Sequence, residues 1–207
     1  MVEYNKTFLE YLNRKAPTRI TPTFRNVKSF IKGRTLDIGM GTGEYLEKFP
    51  KGSIGVDISR INLEINKRKG LIAILADINE SLPFVDNSFD TVFCSHVIEH
   101  VDSPIYLLRE AKRVLKIGGN IILAIPIEKT IVRLIREGYF KDHKTHLYGL
   151  SVDCVNRLLK QVGLQIIKKY FNFPLLSKIS FIDKMLQYIS SNYCEYFCTM
   201  YWIVSKK

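Results

Sequence analysis

Leu36-Asp37-Ile38-Gly39-Met40-Gly41-Thr42-Gly43-Glu44 joins a short apolar run to three glycines at alternate positions. Gly39, Gly41 and Gly43 carry no Cβ and adopt positive φ readily, so the backbone can turn sharply and bring its N–H groups close to a bound molecule. The pattern predicts a strand followed by a cofactor-binding loop. A glycine-rich turn that only connects a strand to a helix is the alternative interpretation.

The spacing of these glycines distinguishes between kinds of ligand. A dinucleotide-binding fingerprint needs Gly-x-Gly-x-x-Gly, whereas Gly43 comes one residue early here and Glu44 stands where the fingerprint has glycine. A pyrophosphate site is therefore disfavoured. Asp37 at the strand end and Glu44 after the last glycine add negative charge, which favours a cationic ligand over a polyphosphate.

Two further carboxylates follow predicted strands. Asp57 ends an apolar stretch about 20 residues after Asp37, the spacing at which an acidic side chain meets ribose hydroxyls. Asp77 ends the next apolar stretch and is a candidate acceptor for an adenine amino group. Because parallel strands end at the same edge of a sheet, we expect these carboxylates to lie side by side.

Apolar strands alternate with amphipathic stretches along the chain, which predicts a parallel sheet covered by helices on both faces. The predicted strands are 34–38, 54–57, 72–76, 91–95, 120–125, 164–170 and a last one near 197–204. The predicted helices are 45–49, 59–69, 104–115, 130–137 and 151–162. Ser151 is predicted to cap the last of these helices, and Gly163 to end it in the left-handed conformation.

Five segments carry a family resemblance, and they are Leu36–Gly43, Val56-Asp57, Ala76-Asp77, Ile98–Val101 and Leu107–Gly119. In this order the chain resembles the class I S-adenosylmethionine-dependent methyltransferases over roughly residues 30 to 170. It is similar above all to the small-molecule (type 11) branch that includes ubiquinone and menaquinone biosynthesis methyltransferases. The resemblance implies a Rossmann-like three-layer sandwich with a seven-stranded, mostly parallel sheet and an antiparallel last strand.

The same resemblance implies that the cofactor is S-adenosylmethionine. The residues expected to bind it are Asp37, Gly39, Met40, Gly41, Gly43, Tyr45, Asp57, Ile58, Ser59, Asp77, Ile78, Ser95 and His96.

The methyl acceptor is expected at the carboxyl ends of the fourth and fifth strands, where open α/β sheets bind ligands. Asp142–Tyr148 resembles the acceptor-side loop of small-molecule methyltransferases. A histidine there can take a proton from a hydroxyl or amine, and we expect His146 first, then His96, with His143 as a further candidate. The alternative is that such a histidine only hydrogen-bonds the backbone and closes the loop. Glu99 and His100 are expected to support the cofactor loop.

Several chemistries are disfavoured by what the motifs lack. Cys94-Ser95-His96-Val97 follows the fourth strand in place of the Asn/Asp-Pro-Pro-Tyr/Phe of enzymes that methylate nucleobase amino groups. Cys94 lacks the preceding proline of a pyrimidine-methylating nucleophile and is predicted to point into the core. The four cysteines fit no metal-ligand spacing, and we expect no metal and reduced thiols. A redox pair of Cys194 and Cys198 is the alternative.

The formal net charge of +11 raises a different substrate class. Five basic residues near the acceptor loop form a candidate rim for RNA phosphates or another anion, namely Lys129, Arg133, Arg136, Lys141 and Lys144. A solvated basic surface is favoured over this rim because basic residues recur along the whole chain. The function predicted first is methylation of an O, N or C atom of a small molecule. An RNA or protein methyltransferase and a non-catalytic cofactor-binding subunit remain alternatives.

Length and composition favour one domain, since 207 residues with 46% apolar and 25% charged side chains suit a single α/β core. We expect a helical segment (1–32), the cofactor-binding core (33–170), an apolar insertion (171–193) and a last strand (194–207). The insertion is expected to pack on the sheet, and a homodimer contact is one alternative. Neither a signal peptide nor an apolar run of membrane-spanning length is seen, so a cytoplasmic protein is expected.

Overall fold

The computed structural model describes Phe24 and residues 27–126, 147–172 and 199–206. The strands in these parts of the chain are β1 (Thr35–Ile38), β2 (Ile54–Asp57), β3 (Ile72–Leu75), β4 (Phe89–Ser95), β5 (Leu115–Pro126), β6 (Gln165–Asn172) and β7 (Thr199–Ser205). The α-helices there are α1 (Arg60–Arg68), α2 (Pro104–Val114) and α3 (Val152–Val162).

The seven strands described form one sheet in the order β3-β2-β1-β4-β5-β7-β6. The pairs from β3 through to β5 are all parallel, and β7 pairs antiparallel with both β5 and β6. The mostly parallel seven-stranded sheet with an antiparallel last strand is therefore confirmed. The predicted α/β class is confirmed with it.

Side chains of the central strands alternate between two buried apolar clusters, one on each face of the sheet. On β4, Val92 and Cys94 belong to the cluster under α2 and α3, whereas Phe93 belongs to the opposite cluster. Phe93 packs there against Phe24, Tyr45 and other aromatic rings. Because both faces are covered, the strands are apolar on both sides, as parallel strands in a three-layer sandwich must be. Cys94 points into the core as predicted.

Each helix begins at a serine whose hydroxyl accepts a backbone N–H one turn later. These caps are Ser59, Ser103 and Ser151. Gly163 follows α3 at φ 72°, ψ 38°, which is the left-handed conformation that glycine adopts without penalty. The predictions for Ser151 and Gly163 are confirmed.

Some predicted boundaries were wrong. The predicted helix at 45–49 is only a 3-10 turn, Leu46–Lys48, because Pro50 pushes Phe49 into the extended conformation. β4 begins at Phe89 rather than at residue 91, and Leu115 belongs to β5 rather than to the preceding helix, since Phe89 and Leu115 pair across the sheet. Residues 171 and 172 extend β6 instead of beginning an insertion.

The predicted helix at 130–137, most of the predicted insertion and most of the N-terminal segment lie outside the described residues. Among the residues that are described, no helix combines the length and the apolar character needed to cross a membrane.

Candidate functional site

The candidate site lies where the strand order reverses. From β1 the chain proceeds to β2 and β3 on one side, and then to β4 and β5 on the other. In open α/β sheets, the crevice between such strands, at their carboxyl ends, is the usual ligand site. The predicted cofactor loop follows β1, and Ser95 and His96 follow or end β4.

The loop of residues 39–43 is held in a curl by its own backbone. The N–H groups of Gly39 and Met40 both donate to the carbonyl of Val56, at 2.9 and 3.1 Å, and the N–H of Gly43 donates to the carbonyl of Met40 at 2.9 Å. The three glycines have φ of 69°, 53° and 83°. A side chain in this left-handed region is strained, so the alternating glycines are required by the conformation itself.

The three glycines differ in what surrounds the position that a Cβ would occupy. A Cβ on Gly39 would overlap Val97, and a Cβ on Gly43 would overlap the side-chain oxygen of Asn66. A Cβ on Gly41 would meet no atom within 4 Å. Gly39 and Gly43 therefore allow close packing inside the protein, whereas Gly41 leaves open space on the side where a side chain would lie.

Asp57, at the carboxyl end of β2, is bonded to this loop. Its Oδ2 accepts the N–H of Gly41 at 2.9 Å, and its Oδ1 accepts the N–H of Ser59 at 2.8 Å and the side-chain amide of Asn62 at 3.3 Å. A carboxylate accepts about four hydrogen bonds, so one acceptor position remains on Oδ2. Asp57 thus fixes the loop and can still accept a hydroxyl.

Two asparagines of α1 support the loop, and the sequence analysis missed both. The side-chain amide of Asn66 donates to the carbonyl of Gly41 at 2.7 Å and to that of Asn62 at 2.8 Å. Both asparagines are buried. The sequence pattern that could have indicated them is two asparagines, which are poor helix formers, at positions i and i+4 of a predicted helix. This spacing places both side chains on one face of the helix.

The other residues predicted along β2 and β3 have distinct surroundings. Ser59 caps α1, and Asp77 accepts the N–H of Asn79 at 2.9 Å. Ile58, directly after Asp57, is 45% exposed, which is unusual for a large apolar side chain and suits contact with a flat apolar ligand face. Ile78 packs against the apolar core.

Met40 and Tyr45 have side chains turned towards the core. Met40 is buried, and its sulfur lies over Gly55 so closely that a Cβ there would overlap it. The ring of Tyr45 lies 5.0 Å from the rings of both Phe24 and Phe93. A direct contact of Met40 with a ligand would therefore have to come from its backbone.

Asp37 is more deeply buried than the sequence suggests. It is 2% exposed, and its Oδ2 has no hydrogen-bond partner among the residues that the structure describes. Burial, and secondly the charge of Asp57, raise the pKa of Asp37 well above its usual range. The expectation that Asp37 supplies a full negative charge to the loop is thereby weakened.

At the end of β4, Ser95 and His96 both have unusual features. The Oγ of Ser95 is buried, and no hydrogen-bond partner for it lies in the described part of the chain. His96 has φ of 56°, a left-handed conformation that is uncommon outside glycine, while its N–H donates to the carbonyl of Ala124 at 2.9 Å. Backbone strain of this kind concentrates at functional sites.

Glu99 lies beneath His96, one turn further along the chain. Its side chain is 1% exposed, with Oε1 3.5 Å from Nδ1 of His96 and 4.0 Å from Nε2 of His100. Burial raises the pKa of Glu99, but the imidazoles of His96 and His100 outweigh burial and hold it below its ordinary value. Burial also raises the pKa of the Cys94 thiol, with smaller contributions from the charges of Glu99 and Asp37.

The chain returns to this region after the predicted acceptor loop. The N–H of Leu147 donates to the carbonyl of Glu99 at 2.9 Å, and the hydroxyl of Tyr148 donates to the carbonyl of Asp102 at 2.6 Å. His143, His146 and the basic residues of the candidate rim lie outside the described residues. Their predicted roles stay predictions.

Six buried side-chain atoms have no hydrogen-bond partner in the described part of the chain, and all belong to residues on the elements around the cofactor loop. They are Asp37 Oδ2, Asn62 Oδ1, Asn66 Oδ1, Ser95 Oγ and both carboxylate oxygens of Glu99. Buried polar atoms of native proteins are normally paired, so an unpaired group calls for a ligand, a water or another explanation. Together with the open space beside Gly41, these residues fit a polar cofactor.

Comparison with known proteins agrees with this geometry. A model of the methyltransferase domain matches residues 36–123. An uncharacterized protein of Methanocaldococcus jannaschii is 36% identical over 158 residues, which are 74% of this chain and 74% of that protein. The demethylmenaquinone methyltransferase of Symbiobacterium thermophilum is 38% identical over 125 residues, which are 54% of this chain and 49% of that enzyme.

The fold has close structural counterparts as well. The crystal structure of a SAM-dependent methyltransferase from Archaeoglobus fulgidus superposes with a TM-score of 0.72 at 24% identity, covering 98% of this chain and 100% of that one. The chain belongs to the methyltransferase-domain family, whose cofactor is S-adenosylmethionine. The match spans only about half the length of the demethylmenaquinone methyltransferase.

Proposed function

We propose that this protein transfers the methyl group of S-adenosylmethionine to an O, N or C atom of a small-molecule acceptor. The relative from Symbiobacterium thermophilum, which is named as a methyltransferase of demethylmenaquinone, supports a small acceptor. The observation that carries the proposal is the set of unpaired buried polar atoms on the elements around the loop of residues 39–43. This loop lies at the point where the strand order reverses.

In this proposal Asp57 accepts a ribose hydroxyl at the acceptor position left on Oδ2, and Asp77 faces the adenine at the neighbouring strand end. The exposed side chain of Ile58 lies between these two carboxylates in sequence and offers an apolar surface for the base. The unpaired Oγ of Ser95 and Oδ2 of Asp37 are available to the polar groups of the amino-acid part of the cofactor.

Bound S-adenosylmethionine supplies a methyl group that its sulfonium already activates. What remains for the chain is alignment and exclusion of water, and alignment of two reactants can contribute about 7 to 11 kcal/mol to lowering the barrier. Where the acceptor must lose a proton, His146 or His96 is the candidate base. Of these two, His96 lies among the described residues, and 47% of its side chain is exposed at the carboxyl end of β4.

Calorimetric titration with S-adenosylmethionine and S-adenosylhomocysteine tests the cofactor site. We expect Asp57→Ala to weaken both affinities about 10- to 100-fold, because a hydrogen bond to a charged group contributes about 1.5 to 3 kcal/mol. Glu64→Gln is the matched control, since it removes one carboxylate from the exposed side of α1, where Glu64 pairs with Lys67. That variant is expected to bind like the wild type.

Two outcomes would count against this proposal. Failure of the folded wild-type protein to bind either ligand would overturn the enzyme assignment, and full affinity in Asp57→Ala would remove Asp57 from the ribose site. The acceptor class is tested by incubation with methyl-labelled cofactor and separate pools of quinols, phenols, small amines and bulk RNA. Label that enters RNA and none of the small molecules would contradict a small acceptor.

A further inference from the structure

We infer that Glu99 is a positioning residue that holds the proton of neutral His96 on Nδ1, so that Nε2 of His96 is the free base of the site. The inference rests on the proposed function, since it assigns one of the two candidate bases and adds a residue that controls it. It differs from the expectation that Glu99 only supports the cofactor loop.

Burial and distance single out this pair. The Glu99 side chain is 1% exposed, and its Oε1 lies 3.5 Å from Nδ1 of His96. Neither carboxylate oxygen reaches hydrogen-bond geometry with an atom of the described residues. A carboxylate withdrawn from water without a hydrogen bond is strongly disfavoured, so the imidazole beside it is the group that can donate one to it from Nδ1. A small approach of Nδ1 to Oε1 completes a carboxylate–imidazole hydrogen bond, and such contacts often tighten only when ligands bind.

The backbone holds both partners in place. His96 adopts φ of 56°, and its N–H is bonded to the carbonyl of Ala124 on the neighbouring strand β5. The carbonyl of Glu99 accepts the N–H of Leu147. The two residues are thus fixed from separate elements, and 47% of the His96 side chain stays exposed while its Nδ1 lies nearest the carboxylate.

The charged and titratable groups that face Glu99 come from β4 and from the turn that follows it. They are His96, His100 and the buried thiol of Cys94, on which Asp37 also acts. His100 is the alternative partner, but its Nε2 lies 4.0 Å away and its side chain is only 24% exposed. His96 is therefore the imidazole that is both nearer to Glu99 and more accessible to an acceptor.

In this arrangement a methyl transfer moves one methyl group, one electron pair and one proton. An electron pair of the acceptor forms the bond to the methyl carbon, and the carbon–sulfur bonding pair returns to sulfur. The proton of the acceptor moves to Nε2 of His96. The resulting imidazolium lies against the carboxylate of Glu99, which stabilises its charge, as a carboxylate behind a histidine does in general.

The tautomer of His96 is measurable without any acceptor. The chain has four histidines, so long-range ¹H–¹⁵N spectra of protein labelled at histidine resolve each ring, and His96→Gln assigns the signals of residue 96. We expect neutral His96 to carry its proton on Nδ1 in the wild type. We expect Glu99→Met to move it to Nε2 and Glu99→Gln, which keeps an acceptor oxygen, to retain it on Nδ1. His100→Gln is the control and is expected to leave the His96 tautomer unchanged.

The wild-type spectrum alone decides the matter if a variant does not fold, because neutral His96 protonated on Nε2 overturns the inference directly. An unchanged tautomer in folded Glu99→Met overturns it as well. Binding of S-adenosylhomocysteine to the same samples separates the two proposals, since lost binding in the wild type refutes the proposed function, whereas retained binding with the wrong tautomer refutes only the role of Glu99. With an acceptor identified, Glu99→Met is expected to lower kcat about 100-fold or more with little change in KM, the loss typical of general-base catalysis.

Discussion

The two edges of the sheet, one formed by the carboxyl ends and one by the amino ends of the central strands, differ in how their buried polar groups are paired. At the carboxyl edge of β1 and β4, Asp37, Ser95 and Glu99 have buried oxygens that find no partner within the described ranges. At the loop that leads into the amino end of β4, the carboxylate of Glu110 accepts two hydrogen bonds from the guanidinium of Arg113. It also accepts one from the hydroxyl of Ser81 and one from the N–H of Leu82. The buried groups of the paired edge bond to one another and stabilise the fold, whereas the unpaired edge keeps acceptor atoms that a bound ligand can use.

The paired network also closes the loop before β4. Arg113 donates to the carbonyls of Leu82 and Phe84 and to the carboxylate of Asp86, in addition to Glu110. Nearby, Asp90 accepts the N–H of Arg34 and the ammonium of Lys116. If the contrast between the edges is correct, substitutions at the paired edge change stability and leave cofactor affinity unchanged.

The largest effect on stability is expected from Arg113→Met. This change leaves the buried Glu110 carboxylate with only its hydrogen bonds from Ser81 and Leu82 and removes the hydrogen bonds that the guanidinium donates. The free energy of unfolding should therefore fall by about 2 to 4 kcal/mol. Urea denaturation followed by circular dichroism measures the loss. Arg109→Met on the exposed side of the same helix is the control. A loss no larger than that of the control, or a drop in affinity for S-adenosylhomocysteine, would contradict the contrast.

At the unpaired edge, Asp37→Asn is expected to increase stability at neutral pH, on the order of 1 kcal/mol. The folded-state pKa of Asp37 is raised by burial, so ionisation disfavours the folded wild type at pH values above the unfolded pKa of about 3.9. The advantage of the variant should therefore be absent at acid pH, grow as pH rises and level off above the folded pKa.

Urea denaturation from acid to mildly alkaline pH checks this dependence, with the exposed Asp102→Asn as the control. Cofactor affinity should fall in Asp37→Asn although stability rises, because a cationic ligand favours the ionised form of this carboxyl group and an amide cannot ionise. A variant that is less stable than the wild type at neutral pH would show that Asp37 has a structural role at this edge.

The smallest effect is expected from Lys116→Met. The hydrogen bond from Lys116 holds the pKa of Asp90 below its usual range, so the pair contributes stability above the unfolded pKa and loses it as pH falls through the folded pKa. The pair is partly exposed, which limits its contribution to about 0.5 kcal/mol. Acid titration of urea midpoints should show the difference shrink as pH falls below about 3.9 and vanish below the folded pKa of Asp90.

Lys67→Met, which removes the more exposed pair with Glu64, is the matched control and should change stability less. A difference for Lys116→Met that persists unchanged at acid pH would mean that the lysine acts through its packing and not through Asp90.

The sequence was sufficient for those parts of the site that depend on local spacing. The glycines of the loop and Asp57 could be predicted because a strand, a turn and the next strand fix their positions along one edge. The other features of the site depend on contacts between residues that are distant in sequence. They are the burial of Asp37, the contact of Asn66 with Gly41 and the left-handed backbone of His96. Glu99 was recognised as part of a motif, but its proximity to Nδ1 of His96 follows from a backbone conformation that a non-glycine residue seldom adopts.

The position of β7 bears on how the protein is made. β7 lies between β5 and β6, where Ile203 pairs with Ile122 on one side and with Lys168 on the other. During synthesis β6 emerges first, so it has no neighbour in the native sheet until residues 199–205 follow, and β5 meanwhile presents an open edge. Open edges recruit strands of other chains, and pairings between distant segments form slowly. The interval between the synthesis of β6 and the insertion of β7 is therefore when the nascent chain is most exposed to aggregation.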